Sequence, residues 1–290
     1  MAAEQEWLAD RFEEQRPHLR AVAYRMLGSL AEADDAVQDA WLRVSRSGAE
    51  DIENIGGWMT TIVARVCLNA LRSRSVRREE SIDRELVDFT SAAPEDEVLL
   101  ADSVGLALLV VLETLTPAER LAFVLHDTFA VPFDEIAPIV GRSPAAARQL
   151  ASRARRRVRG GAPVSGTDLA RQREVVDAFL AAARGGDFEA LLAVLDPDVV
   201  FRVDRTAVGG TAAMEFRGAA VVAKNAMAFS ERSRFTRPLL VDGTVGVVMA
   251  PGGRLVGIGR LAIRDGRITM MELIADPERL AQLELGVLDD

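Results

Sequence analysis

Cysteine, lysine and long apolar runs are the scarcest features of this 290-residue sequence. Its single cysteine, Cys67, excludes an intrachain disulfide, which fits a reducing compartment. Cys67 lies in the apolar stretch TTIVARVCLNAL, so we expect a buried structural thiol rather than a nucleophile. The apolar runs are shorter than the roughly 20 residues of a membrane-spanning helix. We therefore expect a soluble, cytoplasmic protein without a secretory signal or a membrane anchor.

Arginine supplies nearly all of the positive charge, since Lys224 is the only lysine. The charge is unevenly distributed in a chain whose formal net charge is −9. Acidic residues are frequent in residues 4–51, whereas residues 54–78 contain five arginines and no acid. Residues 143–161 contain six arginines and again no acid. Because acidic and basic helices attract different surfaces, this segregation indicates more than one partner.

The pattern of apolar residues changes midway along the sequence, from helical periodicity to short β-branched runs. Two predicted helices, DLARQREVVDAFLAAARGG and FEALLAVL, precede these runs in the second half. The pairs Asp242-Gly243 and Asp265-Gly266 predict tight hairpin turns between strands. We therefore expect a multidomain chain, all-α at first and α+β afterwards. The predicted boundaries are 1–80 and 97–160 for two helical domains, 81–96 and 161–167 for linkers, and 168–290 for the α+β domain.

A capped helix-turn-helix pattern leads into the arginine-rich segment. Phe133, Ile136, Ala137 and Val140 mark one face of a short helix, and Gly141 supplies a tight turn. Ser143 is a good N-cap, and Pro144 suits the first position of a second helix. Apolar residues recur in that helix at spacings of three and four: Ala147, Leu150, Ala151, Ala154 and Val158. A helix-turn-helix with this stripe turned inward directs its polar residues outward.

The outward residues of the second helix have the chemistry of DNA recognition. Arginine can contact guanine with two hydrogen bonds and glutamine can do so with adenine, while further arginines neutralise phosphates. The candidate DNA-binding residues are Arg148, Gln149, Ser152, Arg153, Arg155 and Arg156. The alternative is a solvated basic helix end, which the helix dipole favours without any DNA.

Two long segments carry a resemblance to a known family. HLRAVAYRMLGSLAEADDAVQDAWLRV, followed by IGGWMTTIVARVCLNALRSR, closely resembles conserved region 2 of bacterial extracytoplasmic-function sigma factors. LTPAERLAFVLHDTFAVPFDEIAPIVGRSPAAARQLASRARRRV resembles their region 4. The resemblance spans residues 7–159 in the order of the family. It implies a subunit that directs RNA polymerase to specific promoters, reads the −35 element with the second helix of the helix-turn-helix, and helps to melt the −10 element.

The resemblance also implies how the acidic helix is used. In the family this segment docks on the clamp helices of the polymerase β′ subunit, and region 4 meets the β flap. The apolar residues that can face the core are Ala36, Val37, Ala40, Trp41 and Val44. The candidate contacts with core polymerase are Asp34, Asp35, Gln38, Asp39 and Arg43. Without the family, an ordinary acidic surface helix is the alternative interpretation.

The basic helix that follows is the candidate −10 interface. Arg65, Asn69 and Arg72 are spaced by four and three residues, so they share one helix face. The resemblance implies that cations there meet phosphates, while the preceding loop holds an unstacked base. The candidate −10 residues are Asn54, Arg65, Asn69, Arg72 and Arg74. For Trp58 the sequence predicts a core position rather than a base platform.

The last 120 or so residues resemble the SnoaL-like fold, in which a curved sheet and helices enclose a cone-shaped pocket. This resemblance rests on VVDAFLAAARGGDFEALLAVLDPDVVFRVD and on the order of the strands. Together the two halves are similar to SigJ-type sigma factors with a C-terminal SnoaL-like extension.

The extension offers few residues for chemistry. Asp204, Glu215 and Glu272 are its candidate acid-base groups, and no histidine or cysteine follows Gly160. We therefore expect no enzyme, no catalytic residues, no cofactor and no metal. We expect a domain that regulates the sigma regions, with an apolar interior that admits a small hydrophobic ligand. The alternative is a free-standing helix-turn-helix regulator whose C-terminal domain binds a ligand or dimerises.

Overall fold

The computed structural model describes residues 2–47, 52–80, 105–160, 166–207, 213–228, 230–233, 235–251 and 255–288. The predicted linker 81–96 and residues 161–165 of the second linker lie outside the described residues. Contacts divide the chain into two compact units. The first contains Met1–Arg84 and Leu115–Arg156, and the second contains Glu85–Thr114 and Arg157–Asp290.

Three helices form the N-terminal part of the first unit: α1 (Ala2–Leu27), α2 (Leu30–Val44) and α3 (Ile55–Glu80). Each of them contacts the other two. Trp41 of α2 packs on Phe12 of α1, with ring centroids 5.0 Å apart. The apolar face predicted for α2 is confirmed, because these residues are buried: Ala36, Val37, Ala40 and Val44.

The rest of the first unit continues from α5 (Pro117–Phe123) through a π-helical turn (Val124–Thr128) to α6 (Phe133–Val140) and α7 (Pro144–Val158). The last two residues of α7 belong to the second unit. Helix α3 contacts both α5 and α6. Thr116 caps α5 in a reciprocal box, in which its hydroxyl accepts from the Glu119 N–H and the Glu119 carboxylate accepts from the Thr116 N–H. Arg120 is buried, and its Nε donates to the Arg25 carbonyl at 3.1 Å.

The predicted helix-turn-helix is confirmed in α6 and α7. Gly141 ends α6 with φ 69° and ψ 42°, a left-handed conformation that glycine adopts without steric cost. The Ser143 hydroxyl accepts from the Ala146 N–H at 3.3 Å, as an N-cap should. The middle of the predicted stripe is fully buried, at Ala147, Ala151 and Ala154. This face of α7 is therefore covered by the rest of the fold.

Among the described residues, the second unit contains α4 (Leu106–Glu113) and, from the last two residues of α7 onward, a helix-plus-sheet domain. Its helices are α8 (Gly166–Gly185), α9 (Phe188–Val194), α10 (Ala219–Ala228), α11 (Ser230–Ser233) and α12 (Pro277–Leu280). Its strands are β1 (Leu195–Val203), β2 (Met214–Arg217), β3 (Thr236–Val241), β4 (Thr244–Met249), β5 (Gly257–Arg264), β6 (Arg267–Ile274) and β7 (Leu285–Gly286). The strand order in the sheet is β2-β1-β6-β5-β4-β3-β7. Strands β1 and β6 are parallel, and the other neighbours are antiparallel.

The two predicted hairpin turns have the geometry that their sequences favour. Asp242 and Gly243 have φ of 50° and 79°, and Asp265 and Gly266 have φ of 50° and 74°. Positive φ at both central residues is the condition for the turn that matches the right-handed twist of a hairpin. These turns join β3 to β4 and β5 to β6, so the expected meander and the α+β architecture of the second half are confirmed.

The core of the helix-plus-sheet domain lies between α8, α9, α10 and one face of the sheet. Val176 and Leu180 from α8 pack there with Leu191 from α9 and Val245 from β4. Polar contacts fix α8 on the sheet, since the Gln172 side-chain oxygen accepts from the Val245 N–H at 3.1 Å.

Candidate nucleic-acid interface

Helix α7 separates a buried stripe from an exposed face. Successive residues of an α-helix are rotated by about 100°, so the positions opposite the buried alanines can be identified from the helix alone. These positions hold Gln149, Ser152, Arg153 and Arg156, and all four are exposed. The face therefore combines two arginines with two hydrogen-bonding side chains, which suits both phosphates and base edges.

Arg148 and Arg155 lie seven residues apart on one flank of α7, and each contacts the segment before the turn. The Arg148 guanidinium carbon lies 5.3 Å from the Phe133 ring centroid. The Arg155 Nε donates to the Asp127 carboxylate at 2.6 Å. These two predicted DNA-binding residues thus contact the segment before the turn from the flank of α7, whereas the other four lie on its exposed face. Arg155 is half-buried, and a contact between it and DNA stays a prediction.

Helix α3 presents the predicted basic face to solvent. Arg65, Asn69 and Arg72 are all exposed along one side of the helix. Arg74 is turned away from that side and is half-buried. Its Nη1 donates to the Leu27 carbonyl at 3.1 Å, and its guanidinium pairs with the Glu32 carboxylate.

The loop before α3 uses its polar residue as a cap. The Asn54 side-chain oxygen accepts from the Gly57 N–H at 2.9 Å, which satisfies one of the free amides at the start of α3. Trp58, for which the sequence predicts a core position, is half-buried.

The polar face of α2 is exposed where the sequence predicts it. Asp35, Gln38, Asp39 and Arg43 are exposed, and so is Asp34. Asp34 is bound by Arg20, whose Nε and Nη2 donate to its two carboxylate oxygens at 2.6 and 3.0 Å.

Leu42 is a residue that sequence reasoning missed on this helix. Its side chain is 46% exposed, although most leucines of the first unit are buried. It lies four residues after Gln38 and three after Asp39, so it shares their face. The signal was available, because an apolar residue at that spacing breaks the polar pattern of the face. An apolar side chain surrounded by charged ones is typical of the centre of a protein interface.

The three carboxylates singled out in the extension are engaged in structural contacts. Asp204 is 8% exposed, and its oxygens accept from the backbone N–H groups of Ala207, Ala275 and Asp276 at 2.7 to 2.9 Å. This carboxylate joins the end of β1 to the segment after β6.

Glu215 and Glu272 lie in arginine networks. Hydrogen bonds from Arg202 and then Arg217 hold the pKa of Glu215 below its usual value. Glu272 accepts from Arg279 at 2.6 Å, and Arg260 lies 3.9 Å away. A general base at pH 7 needs a pKa near neutrality, whereas the shift at Glu215 goes the other way.

Cys67 is buried, as expected, and burial raises the pKa of its thiol to about 12. Among the described residues, His, Cys, Asp and Glu side chains form no group of three or more that could hold a metal ion. In the same part of the chain, no helix has the length and apolar composition needed to cross a membrane.

The last described residues hold the end of α7 within the second unit. The Val287 N–H donates to the carbonyl of Val158, the last residue of α7, at 2.7 Å. The backbones of Gly286 and Gly160 lie so close together that a Cβ on Gly286 would clash with the Gly160 Cα. Strand β7 pairs with β3, and both strands contact α4. We call residues 284–288 the C-terminal clasp.

Family models match the two helical regions in the predicted order. The Sigma-70 region 2 model matches residues 11–77, and the Sigma-70 region 4 model matches residues 105–158. The region 4 match includes α4, which belongs by contact to the second unit.

Relatives resemble the chain over nearly its full length. The ECF RNA polymerase sigma factor SigJ of Mycobacterium tuberculosis is 38% identical over 92% of this chain and 91% of its own length. The probable ECF RNA polymerase sigma factor SigI of M. tuberculosis is 34% identical over 93% of this chain and 94% of its own. The crystal structure of M. tuberculosis SigJ covers 94% of this chain and 98% of that one, with 33% identity and a TM-score of 0.44.

Membership of this family implies binding to core RNA polymerase and to promoter DNA, and its members are initiation factors rather than enzymes. With sigma regions 2 and 4 and a full-length relationship to SigJ, the chain belongs to the SigJ-type extracytoplasmic-function sigma factors, which direct RNA polymerase to specific promoters.

Proposed function

We propose that this sigma factor reads the −35 element with the exposed face of α7. The single observation that carries the proposal is that Gln149, Ser152, Arg153 and Arg156 are exposed opposite a fully buried alanine stripe. A helix-turn-helix inserts its second helix in the major groove and uses the N-terminal half for base edges. Gln149 and, from the flank, Arg148 lie in that half, and Arg153 follows one turn after Gln149 on the same exposed face. We assign these three residues to base edges and Arg156 to phosphate. Arg155 acts mainly by bracing α7 through Asp127.

The −10 element is contacted by the exposed face of α3. Arg65 and Arg72 neutralise phosphates of the opened strand, and Asn69 between them offers hydrogen bonds. Arg74 and Asn54 act indirectly, since Arg74 joins α3 to α1 and α2 and Asn54 caps the start of α3. Holding the separated strand on this face is how the protein assists melting.

Core polymerase is bound by the exposed face of α2. Asp35, Gln38, Asp39 and Arg43 meet the clamp helices of β′, with Leu42 as an apolar contact at the centre. The combination of an apolar centre with a charged rim supports this assignment. Asp34 shapes the face through its ion pair with Arg20. We further propose that region 4 contacts the β flap and that the protein acts in the cytoplasm beside the polymerase, as the resemblance to the family implies.

The C-terminal domain modulates the sigma regions through the C-terminal clasp. The clasp holds the carbonyl end of α7, and α4 from the start of region 4 packs on β3 and β7. A shift of β3 or β7 should therefore alter the packing of α4 and of the end of α7, which are the two ends of region 4. A small hydrophobic ligand on the inner face of the sheet, where Phe201, Leu261 and Met271 lie partly buried, is the proposed input.

The test is run-off transcription from a library of genome fragments, with purified core polymerase and the full-length chain. The full chain is required because α4 packs on the sheet, so a chain ended at residue 160 would expose its apolar residues. Transcripts that require the added protein and share one −35 and one −10 sequence support the proposal. Sequence-specific binding to duplex DNA without polymerase, and no specific transcripts with it, would favour a free-standing regulator.

A further inference from the structure

A ring contact connects α7 to the segment before the helix-turn-helix. Phe133, the first residue of α6, lies stacked on the His126 ring, with centroids 3.9 Å apart and planes inclined by 29°. The same Phe133 ring lies 5.3 Å from the guanidinium carbon of Arg148 on α7. Phe133 therefore contacts both an aromatic ring of the π-helical turn and an arginine of the DNA-reading helix.

The flank position of Arg148 makes this contact significant. Arg148 lies in the first half of α7, where the second helix of a helix-turn-helix meets base edges. It is exposed, and its side chain leaves α7 to one side of the face that carries Gln149 and Arg153. An arginine side chain without such a contact would lose much rotational freedom when it binds DNA. An arginine already held over an aromatic ring loses less, because part of its freedom is lost before binding.

We propose that Phe133 is a positioning residue for −35 recognition, which holds the Arg148 guanidinium in the orientation that reads its base. The inference rests on the proposed placement of α7 in the groove. Phe133 is itself not a DNA contact and acts through Arg148.

The support beneath Phe133 is fixed by further contacts. His126 Nδ1 lies 3.0 Å from the Val131 carbonyl oxygen, within hydrogen-bonding distance. The next residue, Asp127, accepts from Arg155 on the same flank of α7. Both flank arginines thus leave α7 toward one segment, residues 126–133. Phe133 also contributes apolar packing, so the test must separate positioning from packing.

The experiment compares Phe133→Leu, Arg148→Ala and the double variant with the natural chain. Each full-length protein is combined with core polymerase and assayed by run-off transcription on promoters that carry every single-base change of the −35 element. Phe133→Tyr keeps the aromatic face and is the conservative variant. Ile136→Val, a buried change on the same helix, is the control for loosened packing.

We expect Arg148→Ala to abolish discrimination at one −35 position. Phe133→Leu should lower discrimination at that same position by about two- to fivefold, the range for a single exposed cation–aromatic contact, and leave the other positions unchanged. Phe133→Tyr and Ile136→Val should both retain the natural discrimination at that position. In the double variant, Phe133→Leu should cause no loss there beyond that of Arg148→Ala alone.

Two different results would overturn the inference. If Phe133→Leu lowers transcription equally at every −35 position and adds in full to Arg148→Ala, Phe133 serves packing alone, and the proposed function stands. If Arg148→Ala leaves discrimination at every position intact, Arg148 reads no base. That result removes Arg148 from the proposed −35 contacts and the positioning role of Phe133 with it.

Discussion

Arg155 and Asp127 connect α7 to the π-helical turn through a hydrogen bond of 2.6 Å, which the Arg155 Nε donates to the Asp127 carboxylate. The two side chains are partly exposed, at 36% and 24%. A π-helical turn is a rare and costly backbone form that recurs at functional sites. Here it places Asp127 where it can hold the flank of α7, so the orientation of α7 depends on a contact outside that helix.

Removing either partner should therefore have the same small effect on stability. Asp127→Ala and Arg155→Ala should each lower the free energy of unfolding by about 0–1 kcal/mol, as expected for a partly exposed pair. The double variant should be no less stable than the single ones, because both remove one interaction. Urea unfolding of the four proteins measures this cycle, and additive losses would show that the pair does not couple the two segments.

Arg65 and Arg74 should behave differently, although both are arginines of α3. Arg65→Ala removes an exposed charge, so it should reduce run-off transcription without changing the thermal midpoint. Arg74→Ala breaks contacts with Leu27 and Glu32 and should lower stability by about 1–2 kcal/mol. Parallel melting curves and transcription assays distinguish the two. An unstable Arg65→Ala protein would argue that Arg65 belongs to the fold.

Local signals in the sequence predicted most of the architecture. Gly141, Ser143 and the alanine stripe were sufficient for the helix-turn-helix, because turns and caps are short-range features. The pairs Asp242-Gly243 and Asp265-Gly266 were sufficient for two hairpins for the same reason.

Contacts across the fold could not be predicted in this way. That Arg155 binds Asp127, or that Arg74 turns toward Glu32, depends on which helix lies opposite, and helical spacing does not report it. Strand β7 has two residues, too few for any periodicity, so no pattern in the sequence predicts the C-terminal clasp. Leu42 was overlooked because it was assigned to neither face of α2.

Gly286→Val should open the C-terminal clasp. Any Cβ at this position would clash with the backbone of Gly160 and Arg159, and backbone cannot move aside as a flexible side chain can. Amides near residues 157–160 should then exchange hydrogen faster, and the transcription output of the holoenzyme should change. Gly185→Ala is the matched control, since a Cβ there meets nothing within 4 Å. Unchanged exchange in Gly286→Val would remove the clasp as a link to α7.

Cys67 should resist alkylation in the native protein. Burial raises the pKa of its thiol to about 12, so the reactive thiolate is scarce at pH 8, and the side chain is also inaccessible. Iodoacetamide should modify it only after denaturation, at the rate of a free cysteine. Mass spectrometry of a time course measures this, and rapid labelling of the folded chain would show that Cys67 is exposed by opening of the first unit.

Charge reversal on α2 should weaken the binding of core polymerase. Asp35→Arg and Asp39→Arg place cations on an exposed face and leave the buried apolar residues of α2 unchanged, so the fold should be retained. Asp10→Arg on α1, which also reverses an exposed charge of the same unit, is the control. Binding of labelled protein to core polymerase should weaken at least tenfold for the pair and little for the control. Equal binding by all variants would exclude this face.

The effect of Arg153→Ala on discrimination between −35 bases is the most direct test of how the protein recognises its promoters. The variant and an Arg171→Ala control, an exposed arginine on α8, are assayed with core polymerase on all single-base changes of one −35 element. We predict that Arg153→Ala loses about 1–3 kcal/mol of discrimination at one position and keeps it elsewhere, as for a bidentate base contact. A uniform loss at every position would show that Arg153 contacts only phosphate, and unchanged transcription would contradict the placement of the exposed face of α7 on −35 DNA.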